Sequence, residues 1–327
     1  MIIGLTYDLR SDYLKEGFNE EETAEFDSES TVDAIDDTLR QLGYFTDRIG
    51  HVRRLVDRLA RGDRWDLVFN ICEGMNGIGR EAQVPALLDA YAIPYTFSDP
   101  LVLALTLHKG MTKRVVRDAG IPTPDFALVE DVSDIGRINL PFPLFVKPNA
   151  EGTGKGIDAR SKVNNTKELY EVCHSLLPRF ANGLIIETFL PGREFTVAIA
   201  GTGEQARSLG VMEVILNETA ETNAYTYVNK EYCDDHVGYR MMADQTAKEC
   251  EAVALAAWRC LNCRDAGRVD IRHDAQGKPG FIEVNPLAGL HPVHSDLPII
   301  CNFQGIPFSE LIRMIMDSAR MRIRNNR

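Results

Sequence analysis

Three stretches of this chain hold residue types whose spacing could do chemistry. The first is Phe145-Val-Lys147-Pro-Asn-Ala-Glu151-Gly152-Thr153-Gly154-Lys-Gly156. An apolar strand delivers a lysine, and a glycine-rich loop follows at once. Glycines let backbone N–H groups approach phosphate oxygens with no side chain in the way, and a lysine at the strand end adds a point charge. The loop is neither a Walker A loop, which needs Gly-Lys-Ser/Thr before a helix, nor a G-x-G-x-x-G fingerprint. The plain alternative is a flexible hairpin loop. The second stretch is Arg268-Val-Asp270, followed by Glu283-Val-Asn285. Positions i and i+2 of a strand share a face. If the two strands pair, a guanidinium, two carboxylates and an amide converge, and such an oxygen set suits Mg²⁺ carrying a substrate phosphate. The alternative is a solvated, salt-bridged face, but polar groups embedded in Ile282-Glu-Val-Asn-Pro286 need a reason to be there. The third runs from Leu184 to Ile199. Glu187 ends one apolar strand and Glu194 begins the next, so each could accept from an adenine amino group or a ribose hydroxyl, or cap the loop.

The elements that must position these groups follow from periodicity. Residues 2–7 read as a strand, and 8–29, with nine carboxylates, as a long polar loop. Apolar residues at 32, 35, 39 and 42 predict a helix stopped by Gly43. A short helix at 55–59, a strand at 65–70, a turn at 73–77, a helix at 85–91 and a short strand at 94–97 follow. Alternating strands and helices imply a parallel sheet. A helix over 109–119 ends at Gly120, and Ile121-Pro-Thr-Pro124 is a rigid exit. Strands then recur at 126–129, 144–147, 184–187, 195–200 and 209–216, with one helix at 166–177. This pattern predicts a small α+β unit. A helix over 245–260, a hairpin of 267–274 with 280–285, and a helix over 308–323 complete the chain. The expected division is 1–121, 122–205 and 206–327.

Composition sets the class. The chain has 327 residues, 44% of them hydrophobic and 26% charged, and 36 basic against 48 acidic side chains give a net charge of −12. These are the proportions of a soluble globular protein of two or three domains. The acidic balance argues against nucleic acid or an anionic membrane as partner. No long apolar run suggests a signal peptide or a membrane span. Seven cysteines occur. Only Cys260-Leu-Asn-Cys263 has metal-like spacing, and it lacks a second pair, so reduced thiols and a cytoplasmic location are expected.

Strand–Lys147–glycine loop, Glu187…Glu194, Arg268-x-Asp270 and Glu283-x-Asn285, in this order, resemble the ATP-grasp superfamily, and within it the D-alanine–D-alanine ligase family, over nearly the whole chain. The resemblance implies an ATP-grasp fold, α/β and α+β, behind an N-terminal parallel-sheet domain. It implies an ATP-dependent ligase that forms an amide or dipeptide through an acyl phosphate. The cofactors would be ATP and Mg²⁺, two ions with Mn²⁺ as a substitute; the partners would be small-molecule carboxylate and amine substrates; the assembly would be a homodimer. Lys109 and Lys147 match the lysines that touch the phosphates. Glu151–Gly156 matches the flap over them, with Thr153 where the family has serine. Glu187 and Glu194 match the carboxylates near adenine and ribose, and Asp270, Glu283 and Asn285 the magnesium ligands. Arg268 matches the arginine that stabilises the acyl phosphate, Lys230 a loop lysine at the γ-phosphate, and Gly289 a glycine whose N–H holds the oxyanion.

The substrate end departs from the family. A histidine-glycine pair is replaced by Glu73-Gly74. The tyrosine after the loop lysine is replaced by Glu231, with Tyr232 next to it. A serine-rich stretch becomes 286–297, with His291, His294, Ser295 and Asp296, read as polar substrate contacts rather than a metal site. Glu25 or Glu29 could match the glutamate that binds the first substrate's ammonium. Glu73 and the acidic segment would favour a cationic or amine-bearing group. A cyclising or otherwise specialised ligase with a non-alanine substrate, a kinase-like use of the same chemistry, and a non-catalytic nucleotide-binding protein are the competing readings.

Overall fold

The computed structural model describes residues 1–216 and 237–325. Strands β1 (Ile2–Tyr7), β2 (Phe45–Arg48) and β3 (Leu67–Ile71) form a parallel sheet in the order β2-β1-β3. The helix Glu29–Gln41 covers it. Ser28 caps that helix by accepting from the Thr31 N–H. Val32, Ile35 and Leu39 form its buried stripe, and Gly43 ends it at φ +88°, a conformation natural only to glycine. The acidic segment is not wholly a loop, because Arg10–Lys15 turns as a short helix. Residues 94–97 add only a single parallel bridge, Val68 to Tyr95.

A second sheet is antiparallel, in the order β4-β7-β5-β6, from β4 (Phe126–Val129), β5 (Leu144–Pro148), β6 (Lys162–Val163) and β7 (Leu184–Thr188). The helix Thr166–Leu176 covers one face, burying Leu169, Cys173 and Leu176. A third sheet, also antiparallel, runs β10-β9-β8-β11-β12, from β8 (Glu194–Ala200), β9 (Arg207–Leu216), β10 (Val237–Met242), β11 (Ala266–His273) and β12 (Pro279–Asn285). The helix Gln245–Cys260 packs on it and buries Trp258 completely. Because β8 hydrogen-bonds to β9 and β11, the two antiparallel sheets part between Thr188 and Glu194, not at 205 as the sequence division had it.

One apolar cluster joins the N-terminal sheet to the third sheet. Ile3, Leu5 and Phe69 share it with Ala198, Met212 and the C-terminal helix residues Leu311, Ile312 and Ile315. Burying each large aliphatic side chain contributes about 1.5–3 kcal/mol. The two units are therefore held together by core. No helix among the described residues is long and apolar enough to cross a membrane.

Candidate active site

Strand β5 alternates. Leu144 and Val146 are fully buried against the covering helix, so Phe145 and Lys147 face the other way, into the cleft. The Lys147 ammonium lies 3.3 Å from Glu187 of β7, and Lys113, from the helix Lys109–Asp118, lies 2.9 Å from the other Glu187 oxygen. All three are buried. Burial pushes the Lys113 ammonium down to about 8, with Glu187 opposing. Burial also works against charge on Lys147, but Glu187 and then Glu283 outweigh it and hold it above the ordinary lysine value. Lys113 and Lys147 together keep Glu187 ionised in spite of its burial.

Strands β11 and β12 pair antiparallel, with Arg268 opposite Asn285 and Asp270 opposite Glu283. The two carboxylates therefore stand side by side on the cleft face. Glu283 lies 3.7 Å from the Lys109 ammonium and 4.0 Å from that of Lys147. Asp270 accepts from the Thr196 hydroxyl at 3.0 Å and pairs with Arg268, which also reaches Asp296 at 3.6 Å. These acids raise the Arg268 guanidinium further above its usual range, against the effect of burial. The Asn285 amide nitrogen is buried with no hydrogen-bond partner among the described residues. Among the described residues no three His, Cys, Asp or Glu side chains converge as a metal site. The donor set here is two carboxylates and an amide, all hard oxygen donors, and it fits Mg²⁺.

The cleft spans about 870 Å³, part of it open to solvent. Phe145, Phe189, Leu190 and Ile282 supply its apolar lining, and Lys109, Lys147, Asp270 and Glu283 its charged lining. Glu194 also lines it, hydrogen-bonded by Arg272 at 3.2 Å. The glycine loop borders the cleft. Thr153 and Gly154 both take positive φ, +52° and +74°. Thr153 holds this conformation without glycine's freedom, and the following glycine completes the turn.

The loop is fastened to the N-terminal unit by Glu25. Its carboxylate accepts from the Gly152 N–H at 2.8 Å and from Arg80 at 2.8 Å, and lies 3.2 Å from the Lys155 ammonium. Arg80 also donates to the Ala150 carbonyl at 3.0 Å. Burial pushes the Glu25 carboxyl up, but Arg80 and then Lys155 bring it down to about 2. Beyond this latch lies a second pocket of about 700 Å³, walled by Glu73, Glu81, Arg268, Asn285 and Gly289 and adjoining the first through Lys109, Glu151 and Glu283.

Most of the residues singled out in the sequence meet in these two pockets. His291 and His294 do not line either one. Their rings pack together at 4.6 Å, and His291 lies 3.4 Å from the Ser30 hydroxyl. The Ser295 hydroxyl accepts from the His291 N–H at 3.0 Å and sits against Gly289. Glu25 lines the second pocket while its carboxylate holds the Gly152 N–H, Arg80 and Lys155. Lys230, with Glu231 and Tyr232, lies outside the described residues. Sequence reasoning passed over Phe145, Phe189, Lys113, Arg80 and Glu81. Phe145 could have been found by alternation with Lys147, and Lys113 by its four-residue step from Lys109.

Comparison with known proteins agrees with this geometry. A family model described as the D-ala D-ala ligase C-terminus matches residues 115–317. A D-alanine–D-alanine ligase of Bordetella pertussis is 33% identical over 278 residues, covering 84% of either chain. The fold is similar to that of a D-alanine–D-alanine ligase from Bacillus anthracis crystallised with ATP, with TM-score 0.73, 21% identity, and 100% of this chain and 99% of that one covered. It is also similar to the VanG D-Ala:D-Ser ligase from Enterococcus faecalis, with TM-score 0.73, 20% identity and coverage of 97% and 99%. With this architecture, an ATP-grasp fold behind a parallel-sheet domain, and with this match in sequence, the chain belongs to the D-alanine–D-alanine ligase family.

Proposed function

We propose that the chain is an ATP-dependent ligase that joins a small-molecule carboxylate to an amine by way of an acyl phosphate. The observation that carries this reading is the facing pair Asp270 and Glu283, with Lys109 and Lys147 within 4.0 Å of Glu283. The apolar lining suits adenine, and Glu194 suits a ribose hydroxyl. Glu187 serves by holding Lys147 in place. Asp270, Glu283 and Asn285 would hold one or two magnesium ions, or manganese in their place, which when bound supply charge neutralisation at the phosphates.

The chain's own residues do the rest. In the first step the carboxylate oxygen bonds to the γ-phosphorus as the bond to ADP breaks. Lys109 and Lys147 offset the charge that builds on the phosphoryl oxygens. In the second step the amine nitrogen bonds to the acyl carbon, phosphate leaves with the C–O electron pair, and the amine gives up a proton. Arg268 and the Gly289 N–H face the oxygens that carry charge in this step. One such electrostatic contact contributes about 3–4 kcal/mol to the barrier. The glycine flap keeps water from the acyl phosphate, and the adjoining pockets orient the two reactants.

A binding scaffold has no use for Arg268 and a paired carboxylate site together. Cytoplasmic location and a homodimer belong to the same reading. The six cysteines in the described residues are free thiols, and light scattering of the purified protein tests the dimer. The function is tested by incubating the protein with Mg-ATP and pairs of D- and L-amino acids. ADP, phosphate and amide in equal amounts are expected. ADP release that ignores the amino acids would overturn the ligase reading.

A further inference from the structure

Lys113 is a cation beside the cleft that the ligation chemistry does not use. It lies on the helix Lys109–Asp118, and its side chain is fully buried. Its ammonium donates to the Thr123 hydroxyl at 3.0 Å and to the Phe281 carbonyl at 3.3 Å, and it lies 2.9 Å from Glu187. The Thr123 hydroxyl in turn donates to the same carbonyl at 2.8 Å. The Phe281 ring centre is 5.7 Å from the ammonium. All three donors of the ammonium are thus engaged, by the segment that follows the helix, by β12 and by β7. Lys109, Lys147 and Lys155 line the cleft, and Lys113 does not. A lysine held this way cannot reach a ligand, so what it changes is its neighbour. Glu187 is shared between two cations: one oxygen faces Lys113, and the other lies 3.3 Å from Lys147. Two ammonium groups on one carboxylate leave the group with one positive charge over. Without the charge on Lys113, Glu187 would be the whole counter-charge of Lys147, and the remaining pair would be neutral toward the cleft.

We infer that Lys113 is a positioning residue for nucleotide binding: it takes up part of the charge of Glu187 and so leaves Lys147 a cation toward the phosphates of ATP. This inference rests on the ligase reading and adds to it a residue that sets nucleotide affinity without touching the nucleotide. The charged groups that face Lys113 are Glu187 from β7, Lys147 from β5 and Glu283 from β12. Lys147 is held above the ordinary lysine value and Glu187 below the ordinary carboxylate value, whereas burial brings Lys113 down to about 8. Of these three, only Lys113 loses its charge between about pH 7 and 9.5.

The test is the Kd of a non-hydrolysable ATP analogue with Mg²⁺, measured by calorimetry. K113Q keeps a donor for Glu187 and Thr123 but carries no charge. It should bind the analogue roughly 10-fold more weakly at about pH 7, the weight of one charge acting from a few ångströms behind the contact. K113Q/E187Q removes both charges and should recover most of that loss, whereas a lysine that only fills space predicts that the double variant binds more weakly still. In the unmodified protein, which needs no variant to fold, Kd should rise roughly 10-fold from about pH 7 to 9.5, and K113Q should lose that dependence. An unchanged Kd in K113Q, a double variant weaker than K113Q, or a native Kd that does not move over this range overturns the inference and leaves the ligase reading standing. Failure of the unmodified protein to bind the analogue at any of these pH values overturns the ligase reading, and the inference with it.

Discussion

Lys147 and Lys113 share one carboxylate, Glu187, from opposite sides. The arrangement holds a charged lysine in a buried place, at the cost of a second lysine whose ammonium is pushed down. Lys147→Ala should therefore raise KM for ATP, measured by ADP release, and leave Glu187 paired to Lys113 alone. Glu283→Gln keeps the shape but removes the charge that faces Asp270, halving that of the pair. Turnover should fall roughly 10²–10³-fold with the protein still folded, as for the loss of one electrostatic contact in a closed site. Normal turnover in that variant would contradict the metal assignment. These residues were legible in the sequence because each is polar within an apolar strand, where burial without purpose is costly. Lys113 was not legible, since a lysine in a helix normally faces water. Arg80 and Glu81 were hidden for a similar reason: a polar turn between two elements looks like surface.

The flap is an element borrowed from two units. The loop belongs to β5, but its anchor belongs to the acidic segment near the N-terminus, through Glu25 and through the Lys155 ammonium, which donates to the Glu22 carbonyl at 3.2 Å. Glu25→Gln would leave Arg80 and Lys155 only the more distant Glu151, at 3.6 Å and 3.7 Å, as counter-charge and should cost about 3 kcal/mol of stability. The sign with pH follows from the Glu25 carboxyl, lowered from its ordinary 4.5 to about 2. The stabilisation is full above about 4.5 and is lost as pH falls toward 2. Urea denaturation should show a constant gap between native and variant proteins at pH 5–8 that closes in acid; a gap that widens in acid would refute the latch. The hairpin that carries Asp270 and Glu283 depends on Gly267. A Cβ there would collide with the Asn285 carbonyl and lie 2.7 Å from the Trp258 ring. Gly267→Ala should destabilise by about 1–3 kcal/mol and abolish turnover together, as seen by thermal melting and ADP release. Elements with clean periodicity, such as Gln245–Cys260 and the hairpin, were read directly from sequence. Pro100–Leu107 was missed because it is apolar nearly all round. Asp296–Phe303 was missed because Pro298 looks like a breaker, although proline is tolerated in a first turn. The edge strand β2 was missed because Phe-Thr-Asp-Arg has no apolar face.

At the scale of the molecule, the N-terminal sheet shares a core with the third sheet. The small second sheet closes over the cleft from the other side. A ligand bound there would bridge two antiparallel sheets, and its binding should stabilise the fold as a whole. A non-hydrolysable ATP analogue with Mg²⁺ at 100 times its Kd should add about 2.7 kcal/mol, read as a rise in Tm that Glu283→Gln reduces. The most direct test of the whole account follows an oxygen atom. The protein is given Mg-ATP and amino acids, alanine and lysine among them, whose carboxylates carry ¹⁸O, and the released phosphate is weighed by mass spectrometry. The account predicts one ¹⁸O in each phosphate, carried over from the activated carboxylate. Phosphate free of ¹⁸O, released alongside ADP, would contradict it.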